Sequence, residues 1–214
     1  MSEEKIAEIL LKINAVSLRP NNPFRWASGI LSPIYCDNRL LLSYPEERKI
    51  VANAFAEKAE EIGLENFDVV AGVESSGIPH AAWLAELLNK PMVYVRKKQK
   101  EHGKENLVEG KMEKGQKVIV VEDLISTGNS LFSCVQGVRE QGGIAEHCLA
   151  IFTYGMQKSV QGAKEAKVQL HTLTNLSALV KAAAEKKYIE KKEIEIVLDF
   201  AKDHENWAKN RGLQ

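Results

Sequence analysis

The chain of 214 residues has no run of apolar side chains long enough to cross a membrane, so neither a spanning helix nor an anchor is expected. Cysteine is scarce. Cys36, Cys134 and Cys148 lie far apart without Cys-x-x-Cys spacing, which argues against structural zinc and a disulfide framework and points to a reducing cytoplasm. Excess charge is missing too: 29 basic and 29 acidic residues cancel, so no global field draws nucleic acid and any basic function must be local. The sequence shows no internal repeat, no low-complexity tract and no Gly-x-x-x-x-Gly-Lys-Ser/Thr phosphate loop. What remains is a length suited to one α/β domain, expected to span residues 1–214 and to bury its core without staples.

The chemistry concentrates in residues 118–130, Val-Ile-Val-Val-Glu-Asp-Leu-Ile-Ser-Thr-Gly-Asn-Ser. Four β-branched residues in a row predict a parallel strand covered on both faces. Glu122 and Asp123 then end it. Carboxylates are costly at the end of a buried strand unless something pairs with them, and the carboxyl ends of strands in an open α/β sheet are where ligands bind. Ser126, Thr127, Gly128 and Ser130 precede a helical pattern with Leu131, Val135 and Val138, so backbone N–H groups and hydroxyls converge at a helix start, an anion site. Acids followed by a small polar loop suit a ligand that is both a polyol and a phosphate.

Elsewhere, Ile6, Ile9, Leu10 and Ile13 predict a helix over 3–15. Turn residues at 28–29 and 32–33, set among apolar and aromatic neighbours over 24–39, predict two short antiparallel strands that act as a flap over a site. A helix is expected over 45–63, a buried strand over 67–73, and a small-residue loop, 72–79, before a helix running to about residue 89. A strand over 91–95 opens into Arg96-Lys-Lys-Gln-Lys-Glu-His-Gly-Lys104, a basic run expected to be a loop until about Val108. After the 118–130 stretch come a helix to about 141, a strand over 144–154, a short helix over 156–163, a strand over 168–173 and a helix over 176–186. One amphipathic helix is expected across 190–210. The pattern is that of an α/β fold, a doubly wound, mostly parallel sheet with a small N-terminal hood built mainly from about residues 20–40.

Residues 118–130 resemble the 5-phosphoribosyl-1-pyrophosphate (PRPP) signature of type I phosphoribosyltransferases. Phe-x-x-x-Ser-Gly-x-x-Ser-Pro-x-Tyr from Phe24, with Asp37 and Arg39 after it, is similar to the hood of the orotate phosphoribosyltransferases, and Arg96, Lys97, Lys100, His102 and Gly103 match their catalytic loop. The resemblance implies transfer of a phosphoribosyl group from PRPP to orotate with Mg²⁺ held through PRPP and water, no ion being bound directly by the protein. It implies that Arg96, Lys97, Lys100, His102 and residues Glu122, Asp123, Leu124, Ile125, Ser126, Thr127, Gly128, Asn129 and Ser130 bind PRPP. Lys100, His102 and Asp123 would be catalytic, and Ser126 would touch orotate. It further implies a homodimer with active sites shared between subunits, and neither nucleic acid nor membrane as a partner.

Two departures stand out. Ala27 occupies the place where some orotate enzymes have a lysine, and Gly155, Met156 and Gln157 stand where some have an arginine, so the contact to the orotate carboxylate must come from elsewhere. Two alternatives stay open: a phosphoribosyltransferase for another base such as a purine, and a PRPP-sensing regulator that binds RNA or DNA.

Overall fold

A computed structural model describes residues 1–26, 29–96 and 107–213. The first helix, α1 (Glu3–Lys12), is capped by Ser2, whose hydroxyl accepts from the Lys5 amide at 3.3 Å. It stops short of residue 15 because Asn14 takes a positive φ of 58° and the chain turns into β1 (Val16–Leu18). The hood is more divided than a single hairpin: β2 (Phe24–Arg25) pairs antiparallel with β3 (Leu31–Ser32), whereas β4 (Ile34–Cys36) pairs back with β1. Ser32 makes the corner between β3 and β4, its hydroxyl donating to the Ile34 carbonyl at 2.7 Å. A 3-10 turn, Asn38–Ser43, follows under an Asp37 cap, and α2 (Pro45–Ile62) ends at Gly63, whose φ of 97° favours glycine.

The central sheet is built from β5 (Val69–Val73), β6 (Met92–Val95), β7 (Val108–Glu109), β8 (Lys117–Ile125), β9 (Ile144–Thr153) and β10 (Gln169–Asn175). Its order is β10-β9-β8-β5-β6-β7, parallel except for β7, which runs antiparallel to β6. Between these strands lie α3 (Gly77–Leu88), α4 (Asn129–Glu140) and α5 (Gln157–Ala166), and α6 (Leu176–Glu185) follows β10. The buried runs behave as their composition requires. Val70, Ile119, Val121, Leu149 and Ile151 face the core shared with α1, α2, α3 and α6, while Val69, Ala71, Val118, Val120, Cys148 and Ala150 face α4 and α5. Alternate residues of one strand thus fill two cores, each buried Val or Ile contributing roughly 1.5–3 kcal/mol.

Three expectations need correction. Strand β8 does not end at the acid pair but runs on to Ile125, because β9 pairs alongside it through Leu124↔Phe152 and Ile125↔Thr153. Residues 108–109 form a strand rather than the end of a loop. The tail is not one helix: a 3-10 turn (Lys191–Glu193) leads into α7 (Ile194–Lys202), and α8 (Trp207–Asn210) follows a turn in which Asp203 accepts from the Asn206 amide at 3.2 Å.

Candidate active site

The chain enters the sheet at its centre with β5, moves outward to β6, then crosses back to place β8 on the other side of β5. At such a switch point the connections leave in opposite directions and open a crevice beyond the strand ends. Two loops meet there. The turn of residues 74–76 leads into α3, and Gly77 sits so close to β8 that a Cβ would lie 2.3 Å from the Val121 carbonyl oxygen and 3.2 Å from the Glu122 Cα. Glycine is therefore required for α3 to begin against the acid-bearing strand. Ser76 stands at the N-cap of α3 without a side-chain cap hydrogen bond, and the first turn carries no acid.

Glu122 is buried and Asp123 half-buried. The Glu122 carboxylate accepts from the Asp123 amide at 3.1 Å. Burial raises the Asp123 carboxyl above the ordinary aspartate range; a hydrogen bond with Glu122 opposes this, and the charge of Asp37 adds to it. Asp123 therefore holds its proton more readily than a solvated acid, and gains from hydroxyl donors or cations brought by a ligand.

Beyond β8, Gly128 takes φ 83° and starts α4 without a side-chain cap or an acid in the first turn. The first N–H groups of α4 have no intrahelical partner and follow Ser126 and Thr127 directly in the chain, with Ser130 on the first turn, which is where an anion cradle is expected. Asn129 and Ser130 are exposed on the first turn. Leu124 packs against the α1–α2 core, and the Ile125 side chain is buried among α4 neighbours while its carbonyl accepts from the Tyr154 amide at 3.1 Å.

Arg96 is brought to the same edge. Its amide donates to the Leu107 carbonyl at 2.9 Å and its guanidinium lies 3.5 Å from Glu109, so it is partly neutralised rather than a free cation. With Val73, Val95, Asn129, Ser130, Ser133 and Cys134 it lines a cavity of about 220 Å³. Lys97, Lys100, His102 and Gly103 lie outside the described residues, as do Ala27 and Ser28.

Sequence reasoning missed the wall of the site. Asn38, fully buried, donates from Nδ2 to the Asp123 carbonyl at 2.8 Å. Trp26 stands 5.8 Å from Tyr154 and 5.4 Å edge-on from Phe200 of α7, and its indole N–H donates to the Ile34 carbonyl at 3.2 Å, so the tail supports the hood from below. A helical stripe signals burial but not against what.

The donor chemistry of the acid pair fits Mg²⁺: Glu122 and Asp123 offer hard carboxylate oxygens, and among the described residues no group of three His, Cys, Asp or Glu side chains could hold an ion unaided. An ion here would be shared with the oxygens of a ligand and with water.

Comparison with known proteins gives a consistent answer. The family described as "Phosphoribosyl transferase domain" matches residues 40–169. The orotate phosphoribosyltransferase of Listeria monocytogenes serotype 4b is 50% identical over 207 residues, 97% of this chain and 99% of that protein. That of Coxiella burnetii is 46% identical over 203 residues, 95% and 97% of the two chains. Among solved structures, the orotate phosphoribosyltransferase of Aeropyrum pernix superposes with a TM-score of 0.68 at 29% identity, covering 85% of this chain and 98% of that one. Leishmania donovani UMP synthase shares the fold with a TM-score of 0.78 at 23% identity, over 94% of this chain and 42% of the larger protein.

Proposed function

The chain belongs to the phosphoribosyltransferase family, among its orotate phosphoribosyltransferases, and from that premise we propose how the residues at the switch point divide the work. The reaction is transfer of the 5-phosphoribosyl group of PRPP to orotate, giving orotidine 5′-monophosphate (OMP) and pyrophosphate in pyrimidine biosynthesis. One observation supports the residue assignment: the acid pair, with Glu122 buried and Asp123 half-buried, lies near the end of the strand that leads directly into the uncapped start of α4, so one short stretch can receive both a sugar's hydroxyls and its phosphate.

As the bond from the anomeric carbon to pyrophosphate breaks, positive charge grows on the ribose and negative charge on the leaving group. Glu122 and Asp123 accept from the ribose hydroxyls, and their charge favours the developing cation. The α4 amides, with Ser126, Thr127 and Ser130, hold the 5′-phosphate, and Ser126 also borders the base. Arg96, and with it Lys97, Lys100 and His102, neutralises the departing pyrophosphate; a single well-placed cation is worth about 3 kcal/mol. Glu122 and Asp123, together with ligand oxygens and water, would hold Mg²⁺, which would supply positive charge against the developing negative charge of the leaving group. The nucleophilic nitrogen of orotate is deprotonated beforehand and needs no strong base.

We further propose a cytoplasmic homodimer whose basic loops each serve the neighbouring subunit. Free thiols at Cys36, Cys134 and Cys148 support the reducing compartment. A mixed surface supports the dimer: the Arg48 guanidinium donates to the Leu42 carbonyl at 2.9 Å and stacks over Trp83 at 4.8 Å, and Trp83 and exposed Leu87 line a cavity of about 400 Å³ together with charged residues such as Lys49 and Glu86. Mixing Lys100→Ala with Asp123→Asn subunits tests the arrangement. Each inactive parent should gain activity, up to about a quarter of wild type, because half the dimers then hold one intact site. No recovery in proven mixed dimers would contradict the shared site.

A further inference from the structure

Orotate differs from uracil by one carboxylate, and a site that selects it must give that anion a partner. Neither Ala27 nor residues 155–157 supply a cation. Resting on the orotate reading above, we propose that Arg39 receives the orotate carboxylate and determines base specificity in this chain.

The geometry of Arg39 is that of a cation prepared for a second carboxylate. Asp37 accepts from Nε through Oδ1 at 2.6 Å and from Nη2 through Oδ2 at 2.8 Å, while Oδ1 also accepts from the Arg39 amide at 3.2 Å. That fork uses one edge of the guanidinium. The edge formed by Nη1 and the second Nη2 hydrogen has no partner among the described residues, and two parallel N–H groups there match a carboxylate. The side chain is 63% exposed, so a ligand can reach it without breaking the contact to Asp37. Asp37 cancels part of the attraction but holds the fork still, which lowers the ordering cost of binding.

Its place is right for the base. Asn38, the neighbouring residue, is bonded to the Asp123 carbonyl, so Arg39 starts beside the strand that holds the ribose. Arg39 lies within electrostatic reach of Asp123 and Tyr35, and Tyr35 within reach of Tyr154, where β9 ends and where the arginine of some relatives is missing. The other described arginines of the hood are engaged differently: Arg19 stacks over Phe24 at 4.7 Å, and Arg25 donates to the Gly29 carbonyl at 3.0 Å.

Equilibrium binding of OMP and UMP, measured by calorimetry without turnover, isolates the carboxylate. Wild type should prefer OMP. Arg39→Ala and Arg39→Gln should weaken OMP roughly 10–100-fold, the range for losing a charged hydrogen-bonding pair, and leave UMP within about twofold. Retained UMP binding also shows that the variants fold. Asp37→Asn, which frees the fork without removing the cation, should give a smaller loss confined to OMP. Equal weakening of both nucleotides, or no change in either, would overturn the proposal. A wild-type chain that binds the two equally would overturn the orotate reading and the proposal with it.

Discussion

The buried Asn38 amide reaches across 85 positions of sequence to donate to the main-chain carbonyl of Asp123 at 2.8 Å, fastening the hood to the strand that carries the acid pair. Its own Oδ1 accepts from the Cys36 thiol at 3.4 Å, so both ends of the amide are used. The hood and strand β8 are thereby held as one unit.

Asn38→Ala removes the donor and leaves the Asp123 carbonyl unsatisfied in a buried place, at a cost of about 1–3 kcal/mol. Denaturant unfolding should show that loss, and steady-state kinetics should show a rise in KM for orotate larger than that for PRPP. Unchanged stability and an unchanged orotate KM would mean that the bond does not hold the hood.

Asp123→Asn should lower turnover more than it weakens PRPP binding, since the negative charge matters most as the ribose becomes cationic. The same change has a stability consequence. A carboxyl raised by burial binds a proton more tightly in the folded than in the unfolded chain, so its contribution is favourable at low pH and lost as pH rises from about the ordinary aspartate value through the raised one. The stability of Asp123→Asn relative to wild type should therefore improve as pH rises through that window. A difference that is flat with pH, or equal turnover, would sink the assignment.

His80 behaves in the opposite sense. Buried between Phe55 at 6.1 Å and Trp83 at 5.4 Å, with no partner for Nδ1 among the described residues, its imidazole is pushed down to about 4 by burial. Stability held above the unfolded value near 6.5 should be lost as pH falls toward 4, by roughly 3 kcal/mol. His80→Phe should flatten that part of the profile in denaturant titrations taken at steps of pH; an unaltered slope would place the acid sensitivity elsewhere.

The central sheet and the acid-to-loop stretch were legible because their signals are local: β-branched runs that fill two cores, and a carboxylate pair followed by glycine and hydroxyls. Strands β1 and β7, three and two residues long, carry no such signal and exist through pairing with β4 and β6. Asn38 carries no signal of its own in the sequence, and its value lies in a contact made by tertiary folding. The tail was legible as a packed amphipathic stretch but not what it packs against: Phe200 meets Trp26 edge-on, and Trp207 stands 5.9 Å from Phe200. The glycines of residues 72–79 suggest a backbone that comes close to a ligand, whereas the approach the fold shows at Gly77 is to strand β8, at the Val121 carbonyl.

Pyrophosphate release from PRPP and Mg²⁺ should be measured with orotate, uracil, adenine, hypoxanthine and nicotinate supplied one at a time. The account predicts release with orotate alone, abolished in Asp123→Asn. Release with a different base, or PRPP binding with no turnover of any base, would contradict it.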